Sequence, residues 1–200
     1  MSRQEWTCRV ETRQRNLEAL DDRGLFAGRH LVTASALLDL VSEAWLRALA
    51  ARCRAVGAVA LFTITYNGDS TCSPVVPEDE RVRALFNQHQ RTDKGLGGIA
   101  AGPDAEACAA RAFRDVGYQV QLEPSPWRLG SGDAELQRQL IDGWASAATE
   151  MAPGEAAAIE GWRIRRIEHV DAGRSRVLVG HGDMAAWPGP VMLLRAPRSS

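Results

Sequence analysis

Two hydrophobic periods alternate along the chain. Short runs with apolar residues at strand spacing are separated by stretches whose apolar residues recur every three or four positions. Trp6, Cys8 and Val10 alternate with Thr7, Arg9 and Glu11, which predicts a strand over 6–12 with one polar face. Gly28 opens a second strand over 29–33. Leu37, Leu38, Val41, Trp45, Leu46 and Leu49 then predict a helix down to Cys53, stopped by Gly57. The run 58–65 is apolar on both faces, as expected of a buried, central parallel strand, and the polar and proline-containing stretch 67–77 predicts a loop.

A helix over 78–90 points Val82, Leu85 and Phe86 inward. Gly95, Gly97 and Gly98 read as a hinge or lid rather than a cofactor loop, because they follow a helix and not an apolar strand. Pro103 suits the first turn of a helix that buries Cys108, Ala112 and Phe113 and ends at Gly117. A strand over 118–122, a rigid turn over 124–130 and two helices follow. The first is capped by Asp133 and carries Leu136, Leu140, Ile141 and Trp144 on one face; the second carries Ile159, Trp162, Ile167 and Val170. A final strand covers 176–181. Strands alternating with helices predict an α/β fold, a mostly parallel sheet with helices on both faces.

At 200 residues and 45% hydrophobic content the chain can bury a core without staples, so one domain is expected over 1–187, with a loosely ordered tail over 188–200. The 24 basic and 25 acidic residues leave a net charge of −1, which gives no field to draw the chain to nucleic acid or to a membrane surface. Arg163, Arg165, Arg166, Arg174 and Arg176 interleave with Glu160, Glu168 and Asp171 and read as a solvated face. Cys8, Cys53, Cys72 and Cys108 form no CxxC pair, so no metal site is expected, and a reduced, cytoplasmic setting is the expectation. No stretch has the length and apolarity of a membrane span.

The segment Leu31-Val32-Thr33-Ala34-Ser35-Ala36-Leu37-Leu38-Asp39-Leu40-Val41-Ser42-Glu43-Ala44-Trp45-Leu46 passes from strand through small residues into a helix. A second apolar strand, Val59-Ala60-Leu61-Phe62-Thr63-Ile64-Thr65-Tyr66-Asn67-Gly68, follows it. This order resembles the middle of a class I S-adenosylmethionine-dependent methyltransferase, and the resemblance extends to the C-terminus. It implies a Rossmann-like sheet ordered 3-2-1-4-5-7-6 with strand 7 antiparallel. On that pattern 6–12 correspond to strand 3, 29–33 to strand 4, 58–65 to strand 5, 118–122 to strand 6 and 176–181 to strand 7. Strands 1 and 2 have no counterpart, nor do the glycine-rich first turn and the acidic residue that binds the ribose. The resemblance thus implies an N-terminally truncated domain. Strand 4 would expose an unpaired edge, and three remedies are expected: pairing with 6–12, pairing with a missing N-terminal segment, or a homodimer.

By the same resemblance the cofactor is S-adenosyl-L-methionine, with Asn16 and Leu17 at the adenine position and Thr33, Ala34 and Ser35 at the amino-acid end. On the residues alone, Asn16 and Leu17 are a turn residue and a core leucine, and Ser35 is a helix N-cap. Tyr66 and Asn67 end the central strand with a phenol and an amide that could orient a polar small-molecule substrate; a plain loop entry is the alternative. His89-Gln90-Arg91-Thr92-Asp93-Lys94-Gly95 is the densest polar cluster and holds the only lysine. It resembles a segment following strand 5 in related methyltransferases, which makes Gln90, Asp93 and Lys94 substrate candidates and His89 the first candidate base; a solvated helix end is the alternative. Asp39 reads as a solvated helix residue, and His169 and His181 as structural. Two functions remain: a small-molecule methyltransferase incomplete in this chain, or a non-catalytic methyltransferase-like remnant or partner subunit that associates through its sheet edge.

Overall fold

Two parallel strands, β1 (Leu31–Ser35) and β2 (Val59–Ser73), are joined through α1 (Glu43–Val56), in register from Leu31 opposite Val59 to Ser35 opposite Thr63. The structure is a computed structural model that describes residues 7–17, 20 and 22–189. After β2 come α2 (Asp79–Gln90), α3 (Ala105–Asp115), β3 (Tyr118–Pro124), β4 (Trp127–Leu129), α4 (Ala134–Met151), α5 (Ala156–Asp171) and β5 (Arg176–Pro188). The sheet order is β1-β2-β5-β3, with β4 also on β5. Strand β5 is antiparallel to β2, β3 and β4 and so runs against all the others. For β1, β2, β5 and β3 this is the order 4-5-7-6 that the resemblance assigns to these segments.

The helices form two layers on opposite faces, offset along the strands. In β5, Met184 and Ala186 pack with Ala60, Phe62 and residues of α1 and α3, among them Leu46, Leu49 and Phe113. Val177 and Val179, of opposite parity, pack with Val82 of α2, Ile141 and Trp144 of α4 and Trp162 of α5. A β-bulge makes this possible. Between Phe62 and Thr65 the β2 register shifts against β5, so Phe62 faces the first core and Tyr66, also even-numbered, faces the second. At the bulge Ile64 has φ +57°, and its N–H donates to Asp183 Oδ1 at 2.9 Å; Ser125 Oγ donates to the same oxygen at 2.7 Å.

Because each layer covers half of the sheet, no described helix covers the reverse face of the β1 half. Leu31, Val59 and Leu61 are 52%, 40% and 40% exposed. Leu61, apolar and expected inside, thus lies on an open face, whereas Leu38 and Phe62 are buried. The second core encloses a charge: Arg166 on α5 is fully buried against Asp79 in the first turn of α2.

Several sequence expectations are corrected. Residues 7–12 form no strand and are exposed, so they neither serve as strand 3 nor pair with β1; residue 6 lies outside the described residues. The loop expected over 67–77 is strand as far as Ser73, because β5 continues alongside and pairs with Ser70, Thr71, Cys72 and Ser73; tertiary pairing overrides the polar composition. Trp127 to Leu129, expected within a turn, pair with Val179 to Val177. The glycine segment is a clasp rather than a lid. Leu96 packs on the first core and its carbonyl accepts from Ser42 N–H at 3.4 Å. Gly97 (φ +84°) lies so close that a Cβ there would be 3.2 Å from Ser42 Oγ. Most of the expected tail, 190–200, lies outside the described residues. Among the described residues no helix is long and apolar enough to cross a membrane.

Candidate functional site

Strand β1 ends in small residues because the chain must turn sharply there. Ala36 sits at φ +51° with its N–H on the Thr63 carbonyl, and a short 3-10 turn over Leu38–Leu40 precedes α1. The helix cap is Ser42, whose Oγ accepts from Trp45 N–H at 3.1 Å, and not Ser35. The helix therefore starts later than its hydrophobic period suggests, although Leu38 and Val41 still enter the core.

Hydrogen bonds from Val59 N–H to the His30 carbonyl and from Ala36 N–H to the Thr63 carbonyl bracket the β1–β2 ladder. Bonding sides alternate along a parallel strand, so the even-numbered peptide groups face β2 and those of Leu31, Thr33 and Ser35 face the free edge. Beside that edge lies an open cavity of about 1300 Å³, lined among others by Thr33, Ala34, Leu37, Trp45 and Phe62. Its outer wall is an extended segment that includes Cys8, Val10 and Leu17. Two bonds pin this segment to α1: Trp45 Nε1 donates to the Leu17 carbonyl at 2.6 Å and Arg52 Nε to the Leu20 carbonyl at 3.0 Å. The fold thus gathers Leu17, Thr33 and Ala34 around one cavity, with exposed Asn16 next to Leu17 and exposed Ser35 at the strand end.

Asp39, expected to be a solvated helix residue, lies instead in the 3-10 turn. It is buried at 7% exposure, with Gln90 Nε2 3.5 Å from its Oδ2. Burial pushes its carboxyl above the ordinary 3.8, opposed by hydrogen bonds from the backbone N–H groups of Asp39 and Tyr66. The carboxylate therefore joins the β1–α1 connection to the middle of β2 and the end of α2. A usable signal was present: Asp39 is the one charge in the apolar run 36–41. A raised folded pKa means that the folded chain holds this proton to higher pH than the unfolded chain. This contribution to stability is fully present below about 3.8 and falls as pH rises through the folded value. Asp39→Asn, which mimics the protonated carboxyl, is expected to match the wild type in thermal melts near pH 4 and to exceed it at pH 7. A variant less stable at pH 7 would contradict this.

The remaining candidates sit in two other places. Tyr66 is buried in the second core, its hydroxyl donating to Asn87 Oδ1 at 2.9 Å, and burial raises its pKa to about 12. Its ring packs edge-on against Phe86 and His181. Asn67 is exposed; its Oδ1 accepts from Asp69 N–H, and the side chain lies so close over Gly180 that a Cβ there would collide with it. His89 bridges two helices and the following turn, with Nε2 3.2 Å from Glu150 Oε2 and Nδ1 3.3 Å from Lys94 Nζ. Asp93 Oδ1 accepts from Gly95 N–H and closes the turn. Of the polar cluster, Gln90 alone reaches toward Asp39 and so toward the end of β1. His181 is buried between Tyr66 and Trp127, and burial lowers its pKa.

No family model matches the chain. No curated protein matches it either. Among solved structures the chain is similar to a cyclopropane synthase from Mycobacterium tuberculosis, at 12% identity and a TM-score of 0.32, over 78% of this chain and 54% of that one. The chain thus spans about half the length of that protein.

Proposed function

We propose that this chain is the carboxy-terminal part of an S-adenosyl-L-methionine-dependent methyltransferase domain that acts on a small molecule. The observation that carries the reading is the strand order β1-β2-β5-β3 with β5 alone reversed. It is supported by the cavity along the free edge of β1, which runs from Arg29 to Ala34 and reaches Leu37 beyond the strand's carboxyl end, the end at which an open α/β sheet takes its ligand. The fit to the cofactor is partial. Thr33, Ala34 and Ser35 offer small side chains, and Thr33 and Ser35 free-edge backbone groups, for its amino-acid end, and Leu17 an apolar wall for the adenine. A glycine-rich strand-to-helix turn has no counterpart among the described residues. When bound, the cofactor supplies an activated methyl group. The chain's own task is to align an acceptor with it. The free edge of β1 is in this reading the seat of the strand that carries the glycine turn, supplied by another segment or polypeptide.

The alternative is a non-catalytic partner subunit that uses the same edge for association only. It is favoured by His89 and Tyr66, whose polar atoms are already engaged within the fold. Residue-resolved NMR with millimolar S-adenosyl-L-methionine separates the two. The methyltransferase reading predicts amide shifts at Leu17, Thr33, Ala34 and Ser35. Shifts absent from β1 would sink it and leave the partner subunit.

A further inference from the structure

The distal half of the sheet carries a second opening, independent of the β1 cavity. On the face turned away from α2, α4 and α5, the register sets Arg128 opposite Leu178 and Leu178 opposite Thr71, and next to them Arg176 opposite Ser73. These residues and Gly130 line an open groove of about 290 Å³. Arg128 and Arg176 stand diagonally on adjacent strands, about 7–8 Å apart at Cα. Neither guanidinium has a carboxylate partner among the described residues. Among the described residues the Arg128 side chain makes no hydrogen bond, and that of Arg176 donates only to the carbonyls of Gly173 and Ser175. Arginines elsewhere show how such groups are neutralised where an acid is at hand: Arg163 pairs with Glu160 and Asp142, Arg165 with Glu78 and Arg138 with Asp171. The nearby acids are engaged elsewhere, Asp133 on Gly130 N–H and Asp69 on Arg83.

Two unneutralised cations side by side repel each other unless an anion sits between them. We infer that this groove binds a phosphate group, held by the Arg128 and Arg176 guanidiniums and the hydroxyls of Thr71 and Ser73. Two planar donor forks and two hydroxyls on three adjacent strands offer more donors than a carboxylate can accept, and they suit the several oxygens of a phosphate. Leu178 gives the floor an apolar centre, which suits a phosphomonoester with a hydrophobic substituent.

Calorimetric titration with phenyl phosphate, inorganic phosphate and phenol tests this. Saturable binding of phenyl phosphate is expected, with affinity that falls as salt is added. Arg128→Gln and Arg176→Gln should each weaken it about tenfold or more, while Arg54→Gln on α1 leaves it unchanged. Tighter binding of phenyl phosphate than of inorganic phosphate assigns the site to a phosphomonoester, and equal binding to free phosphate. Binding unaltered in both arginine variants, phenol binding as well as phenyl phosphate, or no binding of either phosphate would overturn the inference. Thermal melts confirm that the variants are folded; should one not be, Thr71→Val, expected to weaken binding without changing charge, takes its place.

Discussion

Asp79→Ala is expected to destabilise the fold by about 3–5 kcal/mol, the range for removing one partner of a buried ion pair. Arg166 has no exposed surface, so its charge would be left without an acid and without water. Its Nε donates to Asp79 Oδ1 at 2.8 Å, its Nη2 to Oδ2, and its Nη1 to the Pro74 carbonyl at 2.6 Å. The same carboxylate accepts from Trp162 Nε1 at 2.8 Å and from Val76 N–H at 2.9 Å, so four donors lose their acceptor together. Because α5, α2 and the end of β2 meet at this one carboxylate, the loss should appear as a fall in denaturant midpoint of the whole transition. Replacing both partners, as Asp79→Asn with Arg166→Met, should recover much of the stability, since the buried charge goes with its acid. A single-variant loss under about 1 kcal/mol would show that water reaches Arg166 and that the second core is looser than described.

Phe62→Ala is expected to cost about 3–5 kcal/mol, and Leu61→Ala, its neighbour on the open face, under about 1 kcal/mol. Phe62 is 1% exposed, packs edge-on against Phe113 at 5.7 Å between centroids, and sits where β1, β2 and β5 meet the α1–α3 layer. Leu61 is 40% exposed on the bare face. Denaturant melts of the two variants compare the two faces of one strand. Equal losses would mean that something covers Leu61 and that the sheet is buried on both sides there.

How far the sequence could be read depends on which interactions set each element. Helices α2, α3, α4 and α5 were legible because each buries one stripe, and residues such as Val82, Phe113, Ile141 and Trp162 recur at the helical period. The strand cores at Leu31, Val59, Tyr118 and Val177 were legible as short apolar runs. Strand ends were not, because Asn67 to Ser73 are strand only through β5 alongside them. The bulge at Ile64 was invisible for a related reason: one extra residue in Leu61-Phe62-Thr63-Ile64-Thr65 switches which parity faces which core, and no local period records it. Residues 7–12 alternate correctly but pair with no strand among the described residues, and alternation alone does not make a strand. In the candidate site, Thr33 and Ala34 could be found from the small residues at a strand end. Asp39 stands out in the sequence only as the one charge in the apolar run 36–41; its burial beside Gln90 depends on the 3-10 turn, which no local period records.

In the proposed function the cavity at β1 is one part of a cofactor site whose other part belongs to a strand beside the free edge. Calorimetric titration of S-adenosyl-L-methionine into the chain alone tests it most directly. A dissociation constant in the low millimolar range, roughly −4 to −3 kcal/mol, is expected, because no glycine turn among the described residues holds the nucleoside. A constant in the low micromolar range, about −8 kcal/mol, would contradict it and show a site complete without a neighbouring strand.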